Sequence, residues 1–379
     1  MNLAFTTRCV AGLVAVSFCL WGASIPISSA FSSKALQSRR IQRIKGGNSS
    51  SSDSWRLHYQ ESRDDETNDK LDAATIAKQK PQTAESSSAS KIVPIPNLQS
   101  HQFRHPLDQR LTSLAQKAPL FQLAEDALRR GFPLIEQGVR LDLLSSSVRV
   151  SPKQLPELHT LLVEACEVLN FPVIPDLYVQ SNPQANAYTL ALTTTETTTR
   201  SSNNNKQTGT AANSPPIVVV TSALVDRCTP QELQAILGHE LGHILCEHAL
   251  YLTLGNLASS VLPRLPGMNI EQVLTQEWRL AAEYSCDRAS LLVAQDSKIV
   301  ASALLKLFAG TARYELDVSA FVEQSLEYEK ELQTANRWVQ NSFLRKERTH
   351  PLPVQRVAEL ERWYRSKDYQ NLVRSNPEQ

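Results

Sequence analysis

Thr229-Pro230-Gln231-Glu232 opens a stretch that continues through Leu233, Ile236 and Leu237 into His239-Glu240-Leu241-Gly242-His243 and ends on Ile244 and Leu245. It has every part of a helix start. Thr229 can cap, Pro230 suits the first helical position, where no amide hydrogen is needed, and Glu232 stands where a capping box closes. The apolar residues then recur at helical spacing. Residues i and i+4 share a helix face, so His239 and His243 can bring two imidazole nitrogens to one metal ion. Glu240, rotated by one residue, can reach a water on that ion without ligating it. The pattern is that of zinc-assisted hydrolysis. The ion lowers the pKa of water and polarises a carbonyl, while the carboxylate takes a proton and passes it to the leaving amine. A buried histidine pair on a plain helix is the competing reading, and the capped helix soon after a strand weighs against it.

Two ligands are too few, since a catalytic zinc usually holds three protein ligands and an open position. Ile244-Leu245-Cys246-Glu247-His248 lacks the Gly and third His that would soon follow in a metzincin, so the third ligand must lie farther on. Trp278 to Ala289 reads as a helix with Glu283 and Asp287 one turn apart on one face. Glu283 can ligate while Asp287 takes the N–H of a ligating histidine. A solvated acidic face is the bland alternative. Glu277 is a weaker candidate, because Ala281 stands where its acidic partner would be. Cys166, Cys228, Cys246 and Cys286 show no C-x-x-C spacing and read as free thiols rather than a thiolate zinc site.

Around this helix the chain reads as mainly helical. Residues 105–145 have helical apolar spacing punctuated by Pro119 and Pro133, and Val148-Arg149-Val150 suits a short strand. Ser151-Pro152 looks like the start of a helix carrying Leu158, Leu161, Leu162, Ala165 and Leu169. Asp176–Gln180, Ala187–Leu192 and Ile217–Val220 read as strands. Thr193–Asn213, built largely from Thr, Ser and Asn, reads as a low-complexity hairpin insertion. The expectation is an α+β fold, mainly helical with one small β-sheet.

The N-terminus reads as an address. Arg8, the apolar run Val10–Trp21 and Ile27-Ser28-Ser29-Ala30 form a signal peptide over residues 1–30. Phe31 then opens a basic, Ser-rich, acid-poor segment. Ser29-Ala30-Phe31 and the composition behind it resemble the two-part plastid-targeting leader of algae with secondary plastids. Plain secretion, or a membrane anchor in the secretory pathway, is the alternative. From Glu61 to about Ser90 nothing has the periodicity to build a core. The formal net charge is +1, so no basic surplus points to nucleic acid.

His239-Glu240-Leu241-Gly242-His243, Glu283 with Asp287, and His350-Pro351 with Arg356 resemble, in that order, the M forty-eight peptidase family, which includes HtpX-like and CAAX prenyl endopeptidases. The resemblance spans roughly 154–360. It implies a zincin-like metallopeptidase domain that cleaves protein or peptide substrates with one zinc ion per chain. Its implied ligands are His239, His243 and Glu283, and its implied base is Glu240, with Asp287 behind the ligands. It further implies that His350 faces the oxyanion, that Arg356 supports the site, and that Asn186-Ala187-Tyr188 is an edge strand pairing with substrate. No run after residue 30 reaches the roughly 18 apolar residues of a membrane span, so the chain resembles a soluble, plastid-directed branch, with Ala249–Leu262 as the candidate for peripheral membrane contact. The expected layout is residues 1–30 signal peptide, 31–93 transit peptide and linker, 94–365 peptidase domain, and 366–379 tail. A zinc hydrolase of small amides and a non-cleaving zinc scaffold are the rival functions. Glu240 argues against the second, because a structural zinc site needs no base.

Overall fold

A computed structural model describes residues 94–191, 214–261, 276–336, 338–339 and 352–374. The expected leader over 1–93, the Thr193–Asn213 insertion and His350-Pro351 lie outside the described residues. The helices, in chain order, are α1 (Ser100–Phe103), α2 (Pro106–Lys117), α3 (Pro119–Ser146), α4 (Pro156–Val168), α5 (Ser222–Arg227), α6 (Pro230–Leu245), α7 (His248–Val261), α8 (Trp278–Ala294), α9 (Ser297–Ala309), α10 (Val318–Thr334), α11 (Pro353–Tyr364) and α12 (Lys367–Arg374). The strands are β1 (Ser147–Arg149), β2 (Asp176–Gln180), β3 (Ala187–Leu190) and β4 (Ile217–Thr221). The fold is α+β, mainly helical with one small sheet, as the pattern implied.

The sheet runs β1-β2-β4-β3. β4 is parallel to β2 and antiparallel to β3, so the apolar strand lies inside and β3 lies at an edge. Every residue of β4 is buried, as expected for a strand covered on both faces. Its alternate side chains feed two cores. Val218 and Val220 join the cluster around α4, α6, α9 and α11. Ile217 and Val219 join Tyr178, Tyr188, Leu250 and Trp278 on the other face.

Helix α6 sits at the centre and packs against α4, α8, α9 and β3. Its capping box forms as the sequence implied. The Thr229 amide donates to Glu232 Oε2 at 2.7 Å, and the Glu232 amide donates to Thr229 Oγ1 at 3.3 Å. Glu232 also accepts from Ser302 and Lys306 of α9, which pins the start of α6 to its neighbour. The contact with α8 depends on two glycines. A Cβ at Gly242 would lie 2.8 Å from Ala289 Cβ, and one at Gly238 would lie 2.8 Å from Val293 Cγ2. The absence of those carbons lets α8 approach closely and places its acidic face over the histidines.

Three local expectations are revised. Ser151-Pro152 does not start α4. Ser151 instead pairs with Gln154 through two backbone hydrogen bonds. Leu155 then turns left-handed at φ 58, and Pro156 takes the first helical position. Pro133 does not end α3, which runs from Pro119 to Ser146. Past residue 365, within the stretch read as a tail, α12 buries Tyr369 against Trp363 and Tyr364. Among the described residues no helix is long and apolar enough to cross a membrane. The apolar start of α7, including Leu250 and Leu254, is instead buried in the second core.

Candidate active site

One turn of α6 presents His239 and His243 to the same space, with Nε2 atoms 3.2 Å apart. From α8, Glu283 sends Oε2 to 3.5 Å from His239 Nε2 and Oε1 to 3.8 Å from His243 Nε2. Atoms about 2.0–2.1 Å from one tetrahedral zinc lie roughly 3.4 Å from each other. Two imidazole nitrogens and a carboxylate at these separations are therefore a donor set that fits zinc. Glu240, Glu283 and His243 are all buried. Cys286 Sγ also comes within 4.8 Å of donor atoms of His239 and His243. Burial pushes its thiol well above the usual range, and its Sγ lies 3.4 Å from His248 Nδ1.

Behind these groups stands an ion pair. Asp287 Oδ1 lies 3.1 Å from His239 Nδ1. Arg356 of α11 grips Asp287 with Nε at 2.8 Å from Oδ2 and Nη2 at 2.5 Å from Oδ1. Its Nη1 lies 3.3 Å from Glu283 Oε2. Burial works against the Asp287 charge, but the guanidinium overcomes it and holds the carboxyl below its ordinary range. Burial likewise opposes charge on Arg356, and Asp287 and Glu283 more than compensate. At His239 burial favours the neutral ring, yet the hydrogen bonds to Asp287 and Glu283 prevail and raise its pKa to about 9.

On the far side of His243 lies a second set of buried groups. His243 Nδ1 is 3.0 Å from His248 Nδ1. His248 Nε2 is 3.0 Å from Asp108 Oδ2, which comes from α2. Asp108 also accepts from Trp278 Nε1 at 3.0 Å, Ser285 Oγ at 2.8 Å and Thr112 Oγ1 at 3.3 Å. Arg104 lies 3.6 Å from Asp108 and donates to the Cys246 carbonyl at the end of α6. The sequence reading missed His248 and Asp108. Glu247, left-handed at φ 53, breaks the helix between His243 and His248, so helical spacing gives no hint that the two rings meet.

Of the residues singled out from sequence, His239, Glu240 and His243 share α6, and Glu283, Asp287 and Arg356 converge on the histidines. Glu277 stands at the N-cap of α8, six residues before Glu283 and so on another face of the helix. Asn186 and Ala187 continue the pairing of β3 with β4, and Tyr188 is buried. The four cysteines among the described residues are free thiols.

A family model described as peptidase family M48 matches residues 152–364. The chain belongs to peptidase family M48. It is therefore a zinc metallopeptidase, with protein or peptide as substrate. The match to the family is carried by the same segment that supplies His239, Glu240, His243, Glu283, Asp287 and Arg356, whereas Asp108 precedes it. A plastoglobule-localized metallopeptidase 48, chloroplastic, from Arabidopsis thaliana is 38% identical over 285 residues, 73% of this chain and 76% of the relative. A protease HtpX homolog from Moorella thermoacetica is 32% identical over 112 residues, 30% of this chain and 31% of the relative. No solved structure matches the chain.

Proposed function

We propose that the chain is a metalloendopeptidase in which His239, His243 and Glu283 hold one zinc ion and Glu240 is the general base. The observation that carries this reading is the convergence of two Nε2 atoms and one carboxylate at 3.2, 3.5 and 3.8 Å. Zinc held there supplies Lewis acidity and lowers the pKa of water. Glu240, one residue round the helix from His239, takes the proton of the attacking water and delivers it to the leaving amine. Asp287 holds His239 with Nε2 toward the site, and Arg356 keeps Asp287 ionised. The edge strand β3 offers its outer backbone to an extended substrate, a pairing that selects peptide over small amides. His350 donates to the developing oxyanion.

The test uses one panel assayed for zinc content and for cleavage of an unfolded protein. Glu240→Gln keeps zinc and loses hydrolysis. Glu283→Ala loses zinc, while Glu277→Ala keeps it. His350→Ala keeps zinc and lowers kcat by about 10²–10³ at nearly constant KM, as for loss of one oxyanion donor. Full cleavage by Glu240→Gln would end the assignment of the base, and full zinc in Glu283→Ala would end that of the third ligand.

We further infer a plastid location, reached through the signal-like residues 1–30 and the basic segment behind them. Supporting it is the chloroplast and plastoglobule location that the Arabidopsis relative carries in its name, which also favours peripheral contact with a lipid surface. A reporter fused to residues 1–90 should enter plastids, and Phe31→Ala should divert it earlier. Reporter recovered only from the medium would establish secretion instead.

A further inference from the structure

We propose that His248 and Asp108 are positioning residues that fix the orientation and tautomer of His243 for metal binding, an inference that rests on the zinc-peptidase reading above. At the inner end of the chain of contacts, Asp108 is completely buried, and its neighbours supply donors. Trp278 Nε1–H can only donate, and it meets Oδ1 at 3.0 Å. Ser285 Oγ meets Oδ2 at 2.8 Å. Thr112 Oγ1 meets Oδ1 at 3.3 Å, and the Arg104 guanidinium lies 3.6 Å from Oδ2, so donors and a cation surround a carboxylate. An ionised carboxylate only accepts, so the His248 nitrogen 3.0 Å away must carry its hydrogen on Nε2.

The other end imposes its own condition. His243 directs Nε2 toward His239 Nε2 and Glu283, so a lone pair is needed there and the hydrogen belongs on Nδ1. That Nδ1–H points at His248 Nδ1, 3.0 Å away. One tautomer of His248 satisfies both ends, with hydrogen on Nε2 and a lone pair on Nδ1. The Cys286 thiol faces the same Nδ1 at 3.4 Å, and its weak S–H donor shares that lone pair with His243, which also calls for a lone pair there. Each histidine of the pair thus reaches a carboxylate on its outer side. His239 reaches Asp287 directly, and His243 reaches Asp108 through His248. Groups of this kind orient a ligand and raise its basicity, and their loss typically weakens metal binding by about 10–100-fold. Asp108 precedes the family-matched segment 152–364, so α2 contributes to the site from outside that segment.

The experiment uses the full chain and zinc alone as the probe, with affinity measured by competition against a chromophoric chelator. His248→Leu should weaken zinc binding by about 10–100-fold. His248→Gln should stay close to wild type, because its amide oxygen can accept from His243 Nδ1 while its NH₂ donates to Asp108. Melting of the zinc-free variants records packing separately. A purely structural role predicts lower melting temperatures for both variants with unchanged zinc affinity, and that result overturns the proposal. Equal weakening in both variants overturns it too, because hydrogen-bond polarity would then not matter. Should neither variant fold, ¹⁵N-histidine correlation spectra of the wild type decide. Hydrogen on His248 Nε2 supports the relay, and hydrogen on Nδ1 in place of Nε2 refutes it. Wild type that binds no zinc would remove the underlying reading and the relay together, whereas tight zinc in both wild type and His248→Leu would remove the relay alone.

Discussion

His239 lies between Asp287 and Glu283, and that placement determines what zinc must displace. Burial favours the neutral ring, but the two carboxylates dominate and raise its pKa to about 9. Without metal the imidazole therefore keeps its proton at neutral pH, and a ligating nitrogen cannot keep it. Zinc uptake near about pH 7.5 should release roughly one proton per ion from this residue. Titration calorimetry in buffers of different ionisation enthalpy measures the number. The release should fade as pH rises through about 9, where the ring is already neutral. A value near zero at about pH 7.5 would show that the acids do not hold the proton. The same raised pKa has a stability consequence of defined sign. In zinc-free protein the charged ring contributes stability that is complete below the unfolded value and is lost as pH rises through about 9. The shared helix turn of His239, Glu240 and His243 was legible from their spacing. The approach of Glu283 to the histidines was expected from its pairing with Asp287 one turn on.

Helix packing turns those residues into a site, and glycine is the means. Gly242 lies between Glu240 and His243, the proposed base and a proposed ligand, where any Cβ would meet Ala289 Cβ at 2.8 Å and the Cys286 backbone at 3.1 Å. A backbone atom cannot swing aside, so Gly242→Ala should push α8 away and carry Glu283 and Asp287 with it. The expected cost is about 1–3 kcal/mol, as for other overpacked cores, together with weaker zinc binding. Gly138 in α3 is the control, since a Cβ there meets nothing within 4 Å. Gly138→Ala should be neutral or stabilise by up to about 1 kcal/mol. Chemical denaturation of both variants gives the comparison, and an unperturbed Gly242→Ala would mean that the helices do not need their close approach. Sequence reading placed α6 from its cap, proline and apolar spacing, because those signals are local. Ser151-Pro152 has the look of a helix start, but the backbone turns there, and the helix begins at Pro156 after a left-handed Leu155 that offers no side-chain cap. The approach of His248 and Asp108 to the site was illegible for a different reason. His248 follows a left-handed residue that breaks the helical phase, and Asp108 lies 140 positions away, joined to it only by tertiary packing.

At the scale of the whole molecule, zinc either makes the fold or merely uses it. Small zinc domains unfold without their ion because they lack a core. This chain has two. One packs Val218 and Val220 with α4, α6, α9 and α11, and the other packs Ile217 and Val219 with α3, α7 and Trp278. The contacts that join α6 to α8 include Ser290 Oγ donating to the Ala235 carbonyl at 2.7 Å, a bond that needs no metal. Arg356 further binds Asp287 and Glu283, so the acids would not be left to repel each other on removal of zinc. Chelation should therefore leave the helical circular dichroism at about 25 °C unchanged. The ion still binds only the folded arrangement, so it stabilises by mass action, by about 2.7 kcal/mol when free zinc is roughly 100 times Kd. For a domain of this size each kcal/mol moves Tm by about 2–4 °C, which makes the expected fall on chelation roughly 5–10 °C. Glu240→Gln keeps all three proposed ligands and should show the same fall as wild type, while Glu283→Ala should melt alike with and without chelator. Loss of helix on chelation at that temperature would show that the two cores do not suffice and that zinc is part of the fold.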